Sequence, residues 1–422
     1  MSRQWAGLYR HYIEGKTMHT YSSPKKIAAA AITAVLLLTA CTPTSSETDA
    51  TSDDSLTLSG PDGPKGTDFW DVFGTPESSE SVGDIHSLQE RRDAPTGSQG
   101  WNMVYVSEIS PDTSAYVSGE VYVPTTPSDE PRDIILWNHE TTGLADNCAP
   151  SRRTVSEERV PALEELLELG HIVVMSDYPG QGLPGPTYYM AGDVNSRASL
   201  DALKALDNLP EIEHSGRYVQ YGWSQGGQTT MQAEALAADY APEFELMGAA
   251  LIAPAVRIKD LTERSMQQPE LAGYVISTLP GIKAAYPDLK YRDFLSPEAM
   301  EKLPDLSFGC WDIWDTGSTV EDAYTATALQ DGTDWADAMA EIDDFTPAGS
   351  VPFAIYQGSA DNTTPVSLTE REFDNLCEAG SPVEYHEFEG LDHQPVVPEA
   401  AELFPSWAQD RFDGKPSQND CD

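Results

Sequence analysis

Short apolar runs separated by turn residues recur along the 422-residue chain. The first two alternate apolar with polar residues, as in an antiparallel pair, whereas most later runs are continuous and β-branched. Continuous runs are typical of strands that are buried on both faces of a parallel sheet. Eight strands are predicted, at Met103–Ile109, Tyr116–Val123, Ile134–Trp137, Ile172–Met175, Tyr218–Tyr221, Ala249–Ile252, Val351–Tyr356 and Val383–Phe388.

Helical patterns lie between these strands. Apolar residues recur with helical spacing over Glu157–Leu169, Ser196–Leu206, Gln228–Ala238, Ser367–Leu376 and Glu399–Arg411. Strands that alternate with helices predict an α/β fold, here a mostly parallel, eight-stranded sheet that is flanked by helices.

The alternation breaks between about Val256 and Pro347. Several short helices with prolines between them are expected there, because an insertion of about 90 residues is too long for a loop. It enters after one predicted core strand and leaves into the next, so we expect a helical cap over the active-site edge of the sheet. Its apolar residues either all pack inward or partly line an acyl tunnel: Leu271, Tyr274, Val275, Ile276, Leu279, Ile282, Trp311, Ile313 and Trp314.

The amino terminus has the pattern of an export signal. Lys25 and Lys26 precede an apolar run, Ile27–Ala40, that is too short to span a bilayer. The tetrapeptide Leu38–Cys41 resembles a bacterial lipobox, whose cysteine is lipidated and becomes the first mature residue. We therefore expect a signal peptide over residues 1–41 and a lipidated Cys41, with an ordinary secreted protein as the alternative. Translation from Met18 and from Met1 both remain open.

Composition and charge suggest how the rest of the chain is organised. Residues 42–66 are rich in small and polar residues and predict a disordered acidic tether, followed by one folded domain over residues 67–422. The formal charge is -44, which repels nucleic acid and anionic lipid headgroups. We expect no nucleic-acid partner, a monomer, and attachment to the outer face of the cell membrane through lipid, or else secretion.

Four cysteines remain after Cys41. An even number in an exported chain predicts two disulfides among Cys148, Cys310, Cys377 and Cys421, with three possible pairings. The sequence contains no CxxC, no HExxH and no Cys/His pair at zinc spacing. We therefore expect no metal site.

The strongest chemical signal is the hexapeptide Gly222–Gly227 (GWSQGG), which matches G-x-S-x-G. A weakly nucleophilic hydroxyl must be held clear of the chain, within reach of a base, and a sharp turn between small residues does this. A predicted strand precedes the motif and a predicted helix follows it, which is the required context. Ser224 is therefore the predicted nucleophile.

A serine nucleophile needs a general base and a carboxylate that orients that base. Only His386 and His393 follow Ser224 in the sequence, and His386 lies inside a predicted strand, so His393 is the predicted base. Asp361 lies in the loop after the preceding strand and is the predicted acid. Asp392 is the rival, although a residue adjacent to a histidine in sequence seldom reaches its ring.

An acyl-transfer intermediate also needs N–H donors for its oxyanion. One is predicted at the backbone of Gln225, directly after the nucleophile. The other is predicted at Glu140 or Thr141, in the loop after the strand Ile134–Trp137. His139 in the same loop either has a structural role or takes part directly in the oxyanion site.

One further motif, Gly180–Gly185, matches G-x-G-x-x-G after a strand. Pro184 lies inside it and the next helix begins well beyond it, so the match is weak. We interpret it as a loop near the rim of the active site.

These motifs together resemble the secretory lipase family, the lipase-A-like branch of the α/β hydrolases, from about Phe69 to the end of the chain. The resemblance rests on Trp137–Gly143, Asn147–Ser151, Asp177–Gly182, Gly222–Gly227, Gly358–Asp361 and Leu391–Gln394. It implies hydrolysis of carboxylic esters, including acylglycerols, under a helical cap and without a cofactor. It also implies that Cys148 pairs with Cys310 and Cys377 with Cys421.

The chain departs from the family in one place. Bacterial members typically have His-Gly in the oxyanion loop, whereas Glu140 follows His139 here. We expect this charged side chain to narrow the acyl site or to change the geometry of the donors.

The resulting expectation is a serine carboxylic-ester hydrolase, a lipase or esterase that acts through a covalent acyl-enzyme. A serine peptidase on the same fold and a catalytically silent binding lipoprotein are the alternatives. The complete set Ser224, Asp361 and His393 argues against the binding protein, which has no need of all three.

Overall fold

The computed structural model describes residues 69–306, 310 and 317–421. The predicted signal peptide, the lipidation site Cys41 and the tether lie outside the described residues. So do Trp311, Ile313 and Trp314 of the predicted cap.

A nine-stranded sheet forms the centre of the domain, with strand order β1-β2-β3-β5-β4-β6-β7-β8-β9. Strands β1 to β3 are antiparallel to their neighbours, and β4 to β9 pair in parallel. The strands are β1 Ile85–Arg91, β2 Ser98–Ser110, β3 Thr113–Pro124, β4 Arg132–Asn138, β5 Ile172–Ser176, β6 His214–Trp223, β7 Glu245–Ile252, β8 Phe353–Gly358 and β9 Val383–Phe388.

The strand missing from the sequence prediction is β1, and the eight predicted strands correspond to β2 to β9. The sequence of β1, IHSLQER, has neither a continuous apolar run nor an alternating pattern. It forms the edge of the sheet and pairs with β2 alone, with an irregular register between Ile85 and Ser87. An edge strand needs little apolar surface, so its pattern is weak.

Ten α-helices are present in the described part of the chain. They are α1 Leu163–Glu168, α2 Gly192–Asp207, α3 Gln225–Tyr240, α4 Ile258–Ser265, α5 Ala272–Ala285, α6 Tyr291–Phe294, α7 Pro297–Leu306, α8 Asp334–Ile342, α9 Val366–Ala379 and α10 Val396–Phe412. The predicted helix over residues 157–169 shortens to α1, because Pro161 and the left-handed Ala162 (φ 64°) precede its first turn.

Alternate residues of the central strands build a core on each face of the sheet. Ile135, Val173 and Tyr221 pack with α10 on one face, and Ile134, Val174 and Tyr218 pack with α2 on the other. Helices cover both faces, which is why the central strands are continuously apolar.

Helices α4 to α8 lie between β7 and β8, where the sequence predicts the cap. They have a separate core, in which Ile276, Leu279 and Ile282 of α5 pack with Phe294 and Trp335. Disulfides link Cys148 to Cys310 and Cys377 to Cys421, the pairing that the family resemblance implies. No helix among the described residues is both long and apolar enough to cross a membrane.

Candidate active site

Ser224 lies at a sharp turn between β6, which ends at Trp223, and α3, which begins at Gln225. Its backbone is strained, with φ 55° and ψ -114°. The chain approaches itself closely on both sides, since a Cβ on Gly222 would clash with the carbonyl of Gly226, and one on Gly226 with the carbonyl of Asn138. Only glycine fits these two positions, which explains the G-x-S-x-G spacing.

Backbone hydrogen bonds fix this turn against the end of β7. The N–H of Ser224 donates to the carbonyl of Ile252 at 3.0 Å, and the N–H of Ala255 donates to the carbonyl of Ser224 at 2.8 Å. The serine is 7% exposed, so its side chain is sheltered from bulk water.

Asp361 and His393 lie together on adjacent loops. Oδ2 of Asp361 is 2.8 Å from Nδ1 of His393, and the Asp361 side chain is fully buried. Oδ1 of Asp361 accepts hydrogen bonds from the backbone N–H groups of Thr363 and Thr364, each at 2.8 Å. Burial opposes ionisation of this carboxyl, but the hydrogen bond from His393, its charge and the Thr364 donors outweigh burial and lower the pKa of Asp361.

An ionised Asp361 determines the tautomer of His393. A carboxylate accepts the proton on Nδ1, which leaves the lone pair of Nε2 free to accept another proton. Thr364 adds a second contact, because its Oγ1 lies 3.0 Å from the same Nδ1 and donates to Oδ2 of Asp361 at 2.9 Å.

His393 lies beside the nucleophile turn. Its ring centroid is 5.6 Å from that of Trp223, the residue before Ser224. The two rival residues have other partners. Asp392 accepts the backbone N–H groups of Asn362 and of His393 itself, and His386 bonds Glu384 at 2.8 Å within β9.

The predicted oxyanion loop crosses directly over the start of α3, where Gly226 touches the Asn138 carbonyl. Thr141 lines the same cavity as Ser224. Glu140 does not, and its carbonyl is already occupied by Nδ1 of His139 at 2.6 Å. Glu140 therefore does not narrow this cavity, and the alternative expectation, that it changes the geometry of the oxyanion donors, stays a prediction.

Glu140 is nevertheless unusual, because its side chain is buried and Oε2 has no hydrogen-bond partner in the described part of the chain. Burial raises the pKa of Glu140 to about 7, against the attraction of Arg159 and Arg153. His139 is also buried, and burial lowers its pKa to about 4. Both of its ring nitrogens face backbone carbonyls, which favours the structural role over the direct one.

The loop Asp177–Gly182, which overlaps the predicted rim loop Gly180–Gly185 and is one of the motifs of the family resemblance, contacts the oxyanion loop. Tyr178 stacks on His139 with ring centroids 4.2 Å apart and donates its hydroxyl to the His139 carbonyl at 3.2 Å. Gln181 donates to the carbonyl of Gly143. The sequence signal for this loop is its pair of glycines, Gly180 and Gly182. Their φ values are 75° and 79°, in the left-handed region that glycine adopts readily in a tightly turned loop.

A narrow cavity of about 50 Å³ extends from Ser224 into the cap. One face of α4, and one face of α5 together with the preceding Leu271, form a wall of this cavity with helical spacing. The wall residues are Ile258, Leu261, Thr262, Ser265, Leu271, Tyr274, Val275 and Thr278. Of the apolar cap residues singled out in the sequence, Leu271, Tyr274 and Val275 line the cavity. Val275 also packs in the cap core, to which Ile276, Leu279 and Ile282 belong without lining the cavity.

Comparison with known proteins identifies the family. The sequence pattern of the family described as "Secretory lipase" matches residues 154–420, which is more than half of the chain. The chain belongs to the secretory lipase family. It is therefore a carboxylic ester hydrolase, and the family supports a secreted protein.

Individual relatives of this secretory lipase agree with the family match. A secreted triacylglycerol lipase of Malassezia globosa is 27% identical over 355 residues, covering 76% of this chain and 75% of the relative. Lipase 5 of Candida albicans is 25% identical over 384 residues, covering 81% of this chain and 79% of the relative.

Solved structures support the fold of this secretory lipase. Candida antarctica lipase A superposes with a TM-score of 0.69 at 19% identity, covering 81% of this chain and 85% of that one. A rice cell wall degrading esterase of Xanthomonas oryzae has a TM-score of 0.63 at 17% identity, covering 80% of this chain and all of that one. Both similarities indicate the α/β-hydrolase fold.

Among the described residues of this secretory lipase, no group of three or more His, Cys, Asp or Glu side chains is arranged to hold a metal ion. The cavity that holds Ser224 is lined by hydroxyls, among them those of Thr141 and Thr364, and the Asp361–His393 pair lies beside the serine turn. These groups suit acyl transfer by a serine.

Proposed function

We propose that the enzyme cleaves carboxylic esters through a covalent acyl-enzyme on Ser224. The observation that carries the proposal is the buried Asp361–His393 pair beside a strained serine turn that opens into a cavity. Nε2 of His393 takes the proton of Ser224 as the oxygen attacks the ester carbonyl, and returns it to the leaving alcohol. A water molecule, deprotonated by His393 in the same way, then attacks the acyl-enzyme, which releases the carboxylic acid and regenerates Ser224.

The oxyanion accepts hydrogen bonds from the backbone N–H of Gln225 and, in this proposal, from the backbone N–H of Thr141 rather than that of Glu140. Two observations support the choice: Thr141 lines the cavity with Ser224, whereas Glu140 has a side chain near Arg153 and Arg159. Each preorganised donor lowers the barrier by about 2.7–4 kcal/mol in enzymes of this kind.

The acyl group of the substrate occupies the cavity between Ser224 and the cap helices α4 and α5. The wall contributed by Leu261, Leu271 and Val275 is apolar and excludes water from the reacting carbonyl. Because a relative is named a triacylglycerol lipase, we include acylglycerols among the proposed substrates. We also propose that the enzyme acts as a monomer.

A fluorophosphonate probe tests the nucleophile. The probe should label the wild type at Ser224, and Ser224→Ala should lose both labelling and turnover of p-nitrophenyl esters. Ser199→Ala is the matched control, since Ser199 is fully buried in α2. Ester turnover that persists in Ser224→Ala would overturn the proposal.

We further propose that Cys41 is lipidated. The support is the apolar run Ile27–Ala40 and the lipobox-like Leu38–Cys41. Stable anchoring takes two or more buried acyl chains. The native protein should fractionate with membranes, and Cys41→Ser should release it. Native protein that is fully soluble and has an unmodified Cys41 would contradict this proposal.

A further inference from the structure

Two buried hydroxyls share a hydrogen bond inside the cavity that holds Ser224. Oγ1 of Thr141 lies 2.9 Å from the hydroxyl oxygen of Tyr189. Thr141 is 6% exposed and Tyr189 is 5% exposed, and both line the cavity. The proposed oxyanion donor at the Thr141 backbone is therefore accompanied by a hydroxyl on the same residue.

Either hydroxyl can donate in this hydrogen bond, and we assign the donor from the acidity of the two groups. A phenol is a stronger donor than an aliphatic hydroxyl, so Tyr189 donates to Thr141. Burial raises the pKa of Tyr189 to about 12, which keeps the phenol protonated and neutral. The hydrogen of the Thr141 hydroxyl then remains unused, and it has no other acceptor among the residues that the structure describes.

We propose that the Thr141 hydroxyl donates a third hydrogen bond to the oxyanion, and that Tyr189 is the positioning residue that orients this hydroxyl. The inference rests on the proposed serine mechanism. As the ester carbonyl becomes tetrahedral, its oxygen gains negative charge and becomes the acceptor that the buried hydroxyl lacks. No proton is transferred, because Thr141 only donates a hydrogen bond.

Such a donor acts mainly in the transition state. The planar carbonyl of the bound ester carries little charge, so the hydroxyl contributes little to ground-state binding. Loss of the hydroxyl should therefore lower kcat and leave KM nearly unchanged. The affinity for a boronic acid, which forms a charged tetrahedral adduct on serine, should fall together with kcat.

Four variants test the inference through kcat, KM and boronic acid affinity. Thr141→Val keeps the backbone donor and the side-chain shape but removes the hydroxyl, and kcat should fall about 10²–10³-fold. Thr141→Ser restores the hydroxyl and should recover most of that loss. Tyr189→Phe removes only the orienting donor and should cost about 10-fold. Tyr218→Phe is the control, a fully buried tyrosine of β6 outside the cavity, and should leave kcat unchanged.

The possible results separate this inference from the serine mechanism. A Thr141→Val enzyme within about threefold of wild type, with Ser224→Ala inactive, would overturn the hydroxyl donor alone. A Thr141→Ser enzyme as impaired as Thr141→Val would do the same. A greater loss in Tyr189→Phe than in Thr141→Val would make Tyr189 the direct donor. An active Ser224→Ala would instead overturn the mechanism on which the inference rests.

Discussion

The carboxylate of Asp361 and the imidazole of His393 lie 2.8 Å apart although 32 residues separate them in sequence. Adjacent parallel strands, β8 and β9, bring their following loops together. The loops are also hydrogen-bonded to one another, because the N–H of Ala360 donates to the carbonyl of Leu391 at 2.9 Å. The geometry of the pair is therefore set by the edge of the sheet.

The first prediction concerns Asp361→Asn. An amide cannot hold the Nδ1–H tautomer of His393 as a carboxylate does, so kcat should fall about 10³–10⁴-fold, as in other serine hydrolases of this type. Steady-state kinetics on a soluble p-nitrophenyl ester measures the loss. Asp392→Asn is the matched control and should stay within about threefold of wild type, because the hydrogen bonds of Asp392 within the described part of the chain come from the backbone N–H groups of Asn362 and His393. The opposite ranking would identify Asp392 as the acid.

The Asp361–His393 pair was accessible from the sequence because strand order and the number of histidines leave few choices. The second oxyanion donor was not. Whether Glu140 or Thr141 faces the cavity depends on contacts with Tyr178 and Gln181, which lie about 40 residues later in the chain. No local pattern encodes such contacts, just as none revealed the edge strand β1.

The second prediction concerns the buried Glu140. Its pKa rises from 4.5 to about 7 in the folded protein, so the folded state binds a proton that the unfolded state releases between these values. The contribution of Glu140 to the free energy of unfolding should therefore fall as pH rises through this window, by about 3 kcal/mol in total. Glutamine does not ionise, so Glu140→Gln should not lose stability in this window. The variant should be more stable than wild type at pH 8, with a smaller difference at pH 5.5.

Urea unfolding of both proteins at the two pH values, with the disulfides intact, measures this difference. Glu168→Gln, an exposed glutamate of α1, provides the control and should change neither curve. A stability difference between Glu140→Gln and wild type that does not vary with pH would show that Glu140 is not the titrating group.

The third prediction concerns the loop that supports the oxyanion site. Tyr178→Phe removes the hydrogen bond to the His139 carbonyl, and a small displacement of the donors reduces turnover sharply. We expect kcat to fall roughly 10-fold or more with little change in KM. Tyr221→Phe is the matched control, since its hydroxyl also donates to a buried carbonyl, that of Pro161, at 2.8 Å.

Both tyrosine variants should lose a similar stability of about 1–3 kcal/mol, because each leaves a buried carbonyl without its donor. Only Tyr178→Phe should lose catalysis. Parallel losses of kcat in both variants would mean that general destabilisation, and not the position of the oxyanion loop, controls the rate.

The last prediction separates the two roles of helix α5 in the cap. Val275 both packs in the cap core and lines the cavity, whereas Leu279, one turn later, is fully buried in the cap core and does not line the cavity. In the wild type, each methylene that enters the cavity should contribute roughly 0.8 kcal/mol, or about fourfold in kcat/KM. Val275→Phe fills part of this space, so the preferred acyl chain should become shorter while acetate ester hydrolysis changes little. Leu279→Ala should destabilise the fold by about 2–5 kcal/mol and leave the chain-length profile unchanged.

A series of p-nitrophenyl esters from acetate to laurate, combined with urea unfolding, measures both effects. If Val275→Phe lowers kcat/KM equally for every chain length, the cap is a scaffold and the acyl chain binds elsewhere.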